Sequence, residues 1–111
     1  MFEKNLNVSF LLDFYGEVLS ERARSVLDMY YNEDLSLAEI AAEIGISRQG
    51  VRDIIKKSED ELTFYEEKLG LAQKLRRTEE HVRRLTSLAK DSSLPKDIVK
   101  ELELLTSIIT E

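Results

Sequence analysis

The sequence predicts an all-α fold of about six helices, and three observations predict it. Apolar residues recur at helical spacing along nearly the whole chain of 111 residues, with no sustained period-two alternation. The chain is rich in Leu, Glu, Lys and Arg and has only one Pro and four Gly, a balance that favours helix interiors. The residues that cap or stop helices fall between the apolar stripes rather than inside them. With 42% hydrophobic and 34% charged residues, the chain reads as a soluble globular protein of one domain, or one domain with an appended segment.

The elements follow in order. Leu6, Phe10, Leu11 and Phe14 form a first stripe, ended by Gly16, a natural residue just past a helix terminus. Ser20 can cap a second helix whose inner face is Ala23, Val26, Leu27 and Tyr30. Asn32-Glu33-Asp34 interrupts the pattern. Ser36-Leu37-Ala38-Glu39 is a capping box, which starts a short helix with Leu37, Ile40, Ala41 and Ile44 inward. Gly45 ends it, and Ser47 caps a fourth helix that can run from Arg48 to about Leu69. Val51, Ile54, Ile55, Leu62, Tyr65 and Leu69 supply the apolar face of this helix, before Gly70 breaks it. A fifth helix carries Leu75, Val82, Leu85 and Leu88. After a turn at residues 91–95, with Pro95 suited to a first helical position, a sixth carries Ile98, Leu102, Leu105 and Ile109, with Leu104 and Ile108 beside them.

Residues 36–57 meet the requirements of a helix-turn-helix. Such a motif needs a small residue where its helices pass closest, a Gly in the turn, apolar residues beside that turn, and two more that lock the interhelical angle. Ala41, Gly45, the isoleucines Ile40, Ile44 and Ile46, and the pair Val51 and Ile54 fill these places. The positions left outward on the second helix are Arg48, Gln49, Arg52, Asp53, Lys56 and Lys57. Arg and Gln can read guanine and adenine bidentately, while Lys suits phosphates. Ser47, Arg48, Gln49, Arg52, Lys56 and Lys57 are therefore the candidate nucleic-acid-binding residues, although side-chain type alone also suits a solvated face.

The formal net charge of −6 argues against a general polyanion binder, but it is an average. Residues 47–57 hold four basic residues and one acidic, a net of +3, and residues 71–90 hold six and two, a net of +4. The second island gives a possible second basic patch at Lys74, Arg76, Arg77, Arg83 and Arg84, with Lys90 beyond it; pairing with its own Glu79 and Glu80 would equally account for it.

Other chemistries find little support. The chain has no Cys, which excludes disulfides, thiolate zinc sites and thiol catalysis. His81 is the single histidine, with no ligand partners at metal spacing. Glu59-Asp60-Glu61 lacks the Gly-turned frame of a calcium loop, there is no Gly-rich phosphate loop, and no Ser has a His base. No enzyme activity, metal or other cofactor is expected. No apolar run is long enough to span a membrane, and Met1-Phe2-Glu3-Lys4-Asn5 does not begin a secretory signal. The expected location is cytoplasmic.

The stretches Leu35–Ala41 and Gly45–Arg52 resemble region 4 of bacterial sigma-70 factors, which binds promoter DNA through its second helix. With Asp13-Phe14-Tyr15-Gly16, Met29-Tyr30-Tyr31, Ser47-Arg48-Gln49-Gly50-Val51 and Tyr65-Glu66-Glu67-Lys68-Leu69-Gly70, the resemblance extends to the YlxM-like family of small helix-turn-helix proteins of Gram-positive bacteria. It covers about residues 5–75. It implies a sigma-70 region-4-like fold and a regulatory part in the signal recognition particle pathway, a link carried by gene neighbourhood. Against the family pattern, Gly50 stands where Ala is expected and Arg52 where an aromatic is expected.

These readings combine into an all-α chain with N-terminal helices and a wingless helix-turn-helix in residues 1–70. Residues 71–111 form a C-terminal helical hairpin or bundle for packing or dimerisation. The surplus apolar surface of the last helix suggests a homodimer. The expected function is that of a DNA-binding regulator. The alternative is a protein- or RNA-binding modulator of the signal recognition particle that uses the helix-turn-helix as a scaffold.

Overall fold

Three serines decide where three of the helices begin. In the computed structural model, which describes residues 6–110, Ser20, Ser36 and Ser47 each hold extended backbone angles while their hydroxyls accept from the amides of Ala23, Glu39 and Gly50. Each bond satisfies one of the amides that a helix start leaves without an internal acceptor. At Ser36 the box is complete: the Glu39 carboxylate accepts from the Ser36 amide at 3.1 Å, and the Glu39 amide donates to the Ser36 hydroxyl at 3.1 Å.

The described residues form six α-helices and no strand: α1 (Leu6–Tyr15), α2 (Glu21–Tyr31), α3 (Leu37–Ile44), α4 (Arg48–Leu69), α5 (Leu71–Lys90) and α6 (Lys96–Ile109), with a 3₁₀ turn at Gly16–Val18. Gly45 and Gly70 end α3 and α4 with φ of 75° and 61°, where a side chain would be strained. Gly16 stands just past α1 as expected, and there the chain tightens into the 3₁₀ turn, in which the Leu19 amide donates to the Gly16 carbonyl. Pro95 is shifted by one place from the expected first helical position: it caps α6 from outside, and its carbonyl accepts from Ile98 and Val99.

The chain divides into two compact units, residues 1–70 and 71–111. In the first, α4 packs against α1, α2 and α3. Its buried row is Val51, Ile55, Ser58 and Leu62, at the 3–4 spacing of one helix face. Leu11, Val26, Leu27 and Ile40 meet it, each fully buried with Val51, Ile55 and Leu62, and each such burial stabilises by about 1.5–3 kcal/mol. The inner face of α1 is Val8, Leu11, Leu12 and Tyr15. Phe10 and Phe14 are only half-buried, and the expectation for the Leu6 side chain lies outside the described residues. On α4, Ile54 is half-buried and Leu69 is exposed.

Two hydroxyl–carboxylate bonds tie the N-terminal helices to the far half of α4. Tyr15 donates to Glu66 at 2.8 Å and Tyr31 donates to Glu59 at 2.5 Å. The Tyr15 ring also stacks on Tyr65, with centroids 6.1 Å apart.

The second unit is a two-helix hairpin. Its seam joins Val82, Thr86 and Ala89 of α5 to Val99, Leu102, Thr106 and Ile109 of α6, all buried or half-buried; Ala72, Leu75 and Glu79 carry the same stripe of α5 on toward its N-terminus. This 3–4–3 spacing is a heptad pattern. The Thr86 and Thr106 hydroxyls meet across it at 3.4 Å, each also donating to the carbonyl four residues earlier. The seam departs from expectation, since Leu85 and Leu88 of α5, and Ile98 and Leu105 of α6, are exposed. Among the described residues, no helix is long and apolar enough to cross a membrane.

Candidate nucleic-acid interface

The helix-turn-helix is α3, the Gly45 turn and α4. The Ala41 carbonyl accepts from both Gly45 and Ile46 amides, at 2.9 and 3.2 Å, so the turn closes on itself and fixes how α4 leaves α3. Ile40, Ala41, Val51 and Ile55 are buried. Ile55, rather than Ile54, is the fully buried apolar residue that follows Val51.

The N-termini of α3 and α4 open onto one groove of about 640 Å³, lined by Ser36, Leu37, Ala38, Ser47, Arg48, Gln49 and Arg52. Helix starts expose amides without internal acceptors and carry the positive end of the helix dipole. Two such ends and two guanidinium groups therefore border one groove. Arg48, Arg52 and Lys56 follow at four-residue steps, so they form one exposed row along α4.

Other candidate residues sit differently. The Ser47 hydroxyl is engaged in the cap, accepting from the Gly50 amide at 3.0 Å. The Gln49 amide group donates to Asp53 at 2.9 Å, so its donor is held by a carboxylate within the same face. Lys57 lies half a helical circumference from Arg48, in a second groove with Ser20, Arg22, Ala23, Ile54, Ser58 and Glu61. Sequence reasoning missed Arg22 and the α3 start as neighbours of the candidate cations. The capping box was the signal for the latter, since it marks where free amides must lie.

Gly50 has a physical reason. A Cβ there would come within 3.2 Å of Ile46 Cδ1 and 3.3 Å of the Ser47 hydroxyl. The glycine lets the first turn of α4 close over the capping serine and the turn isoleucine.

The second basic island does not form one patch. Arg76, Arg83 and Lys90 recur every seven residues beside the seam, and Arg83 is paired with Glu79 at 2.6 Å. Arg77 and Arg84 lie on the side of α5 away from the seam, with Lys74 next to them.

Three serine caps, a glycine turn and an outward basic helix define the class: a helix-turn-helix protein. Over residues 2–105 the chain matches the UPF0122 family, described as "Putative helix-turn-helix protein, YlxM / p13 like", and it belongs to that family. Among its relatives is a UPF0122 protein of Clostridium kluyveri, 52% identical over 79 residues, which are 71% of each chain. One from Listeria innocua is 40% identical over 109 residues, 97% of this chain and 99% of the relative. One from Bacillus cereus is 40% identical over 102 residues, covering 92% and 93%.

Proposed function

We propose that the protein is a cytoplasmic, non-catalytic regulator that binds DNA through its helix-turn-helix, with a place in the signal recognition particle pathway. The observation that carries the reading is the groove in which two helix N-termini meet Arg48, Gln49 and Arg52. Phosphates suit the helix ends, and base edges suit the side chains at the start of α4, the end that enters a major groove in this motif. In this reading Arg48, Gln49 and Arg52 contact bases. Lys56 holds a phosphate, with Lys57 on the opposite flank. Arg48→Ala then relaxes sequence preference, whereas Lys56→Ala weakens all sequences alike and flattens the salt slope by about one unit. Both are read by titrating labelled DNA pools at two salt concentrations, and unchanged binding in both variants overturns the reading.

A second reading is favoured by the Gln49–Asp53 bond, which occupies a base-reading group, and by the exposed cations of α5. In it, the helix-turn-helix is a scaffold, and the protein modulates the signal recognition particle by binding its RNA or its GTPase. Titration against that RNA and that GTPase, beside the DNA pool, separates the two. Binding that survives Arg48→Ala/Arg52→Ala but falls in Arg77→Ala/Arg84→Ala supports the second.

A further inference from the structure

We propose that Asp53 sets the base preference of the helix-turn-helix, selecting a G·C pair by accepting from the cytosine amino group. The inference rests on DNA binding as proposed above and adds to it the sequence class that the face fits. Arg48, Arg52 and Lys56 form one exposed row of α4, and Gln49 and Asp53 form the next, one position on and about 100° round the helix. The first row only donates hydrogen bonds. The second differs. The Gln49 amide group donates to the Asp53 carboxylate at 2.9 Å, which leaves the Gln49 carbonyl oxygen and the other Asp53 oxygen as acceptors on an exposed face. Neither residue has another hydrogen bond or an ion pair among the described residues.

A carboxylate in this place works against a polyanion. Lys56 and Lys57 stand three and four residues on, the spacing at which a helix can neutralise it, yet its partner is the uncharged Gln49 amide. Its charge therefore meets whatever enters the groove and costs affinity wherever the duplex offers no donor. Phosphates offer none. In the major groove the donors are the amino groups of cytosine and adenine. Adenine sets its N7 acceptor beside the amino group, and a carboxylate is repelled there. Cytosine has no such acceptor on its major-groove edge, and its guanine partner adds N7 and O6, which suit a guanidinium. A G·C pair thus offers two acceptors next to one donor, and α4 offers a donor row next to an acceptor row. The row of Arg48 and Arg52 meets guanine, and the row of Gln49 and Asp53 meets cytosine. An A·T pair presents acceptor, donor, acceptor and methyl in turn and matches only in part. Preference arises from the sequences repelled as much as from the one accepted.

The test uses the full chain as wild type, Asp53→Ala and Asp53→Asn. Each selects from a randomised DNA duplex pool at low salt, and the bound fractions are sequenced. Both variants change an exposed residue, so helical circular dichroism should match wild type. Wild type is expected to enrich a G·C pair at one position by about tenfold. Asp53→Ala is expected to lose that preference, to keep those due to Arg48, and to bind the unselected pool more tightly than wild type. Asp53→Asn, which sets a donor beside its acceptor, is expected to admit adenine at that position. A G·C preference that either variant leaves unchanged overturns the inference and leaves DNA binding standing. So does a wild type that binds duplexes with no preference for G·C. A wild type that binds no duplex of the pool overturns both.

Discussion

Asp53 governs how available Gln49 is. Its carboxylate holds the Gln49 amide group and places the one negative charge within the row of cations from Arg48 to Lys57. Asp53→Ala frees the amide and removes the charge, so nucleic-acid affinity should rise on the order of threefold to tenfold at low salt, as fluorescence anisotropy would read. A second residue-scale prediction concerns Gly45. With φ at 75°, Gly45→Ala should cost about 1–2 kcal/mol, measured by urea unfolding; the open space around it leaves backbone strain as the cause. Both Gly45 and the serine caps were legible in the sequence, because a cap or a turn joins groups within a few residues. The bonds from Tyr15 to Glu66 and Tyr31 to Glu59 were not, since they join residues 51 and 28 apart. Two carboxylates in the acidic run of α4 thus hold α1 and α2 in place.

The helices themselves depend on local chemistry that can be tested one cap at a time. Ser36→Ala removes one half of the capping box and should destabilise the first unit by about 1 kcal/mol. It should weaken DNA binding as well, since the start of α3 borders the groove. Gly50→Ala should stabilise by less than the ~1 kcal/mol that helix propensity alone would give, because the added methyl crowds Ile46 and the capping hydroxyl. Thermal unfolding compares both variants with wild type. The existence and order of the helices were readable, since stripes and stops agree along the chain. The phase of α5 and α6 was not. Two stripes compete there, and reading by bulk favours Leu85 and Leu88. The hairpin instead turns Ala89 inward, because small side chains let two helices approach closely. Packing chose the seam, and the large side chains were left outside.

For the molecule as a whole, a net charge of −6 describes neither of its two basic segments. In the proposed reading Lys56 is the phosphate contact of α4, so this helix should contribute about −0.9 to the slope of the logarithm of affinity against the logarithm of salt.

The length of α4 has one more consequence. Its 22 residues make a rod about 33 Å long, nearly three times the roughly 12 Å width of a major groove. With the start of α4 in the groove, as in the proposed reading, the segment from Glu59 to Glu67 falls outside it. That half must stand clear of the groove, anchored by tyrosines from α1 and α2, with Asp60 and Glu67 exposed along it. In that reading, repulsion between those carboxylates and the flanking phosphates would work as a depth stop, admitting the first turns of the helix and opposing movement of a duplex along the rod toward its acidic end.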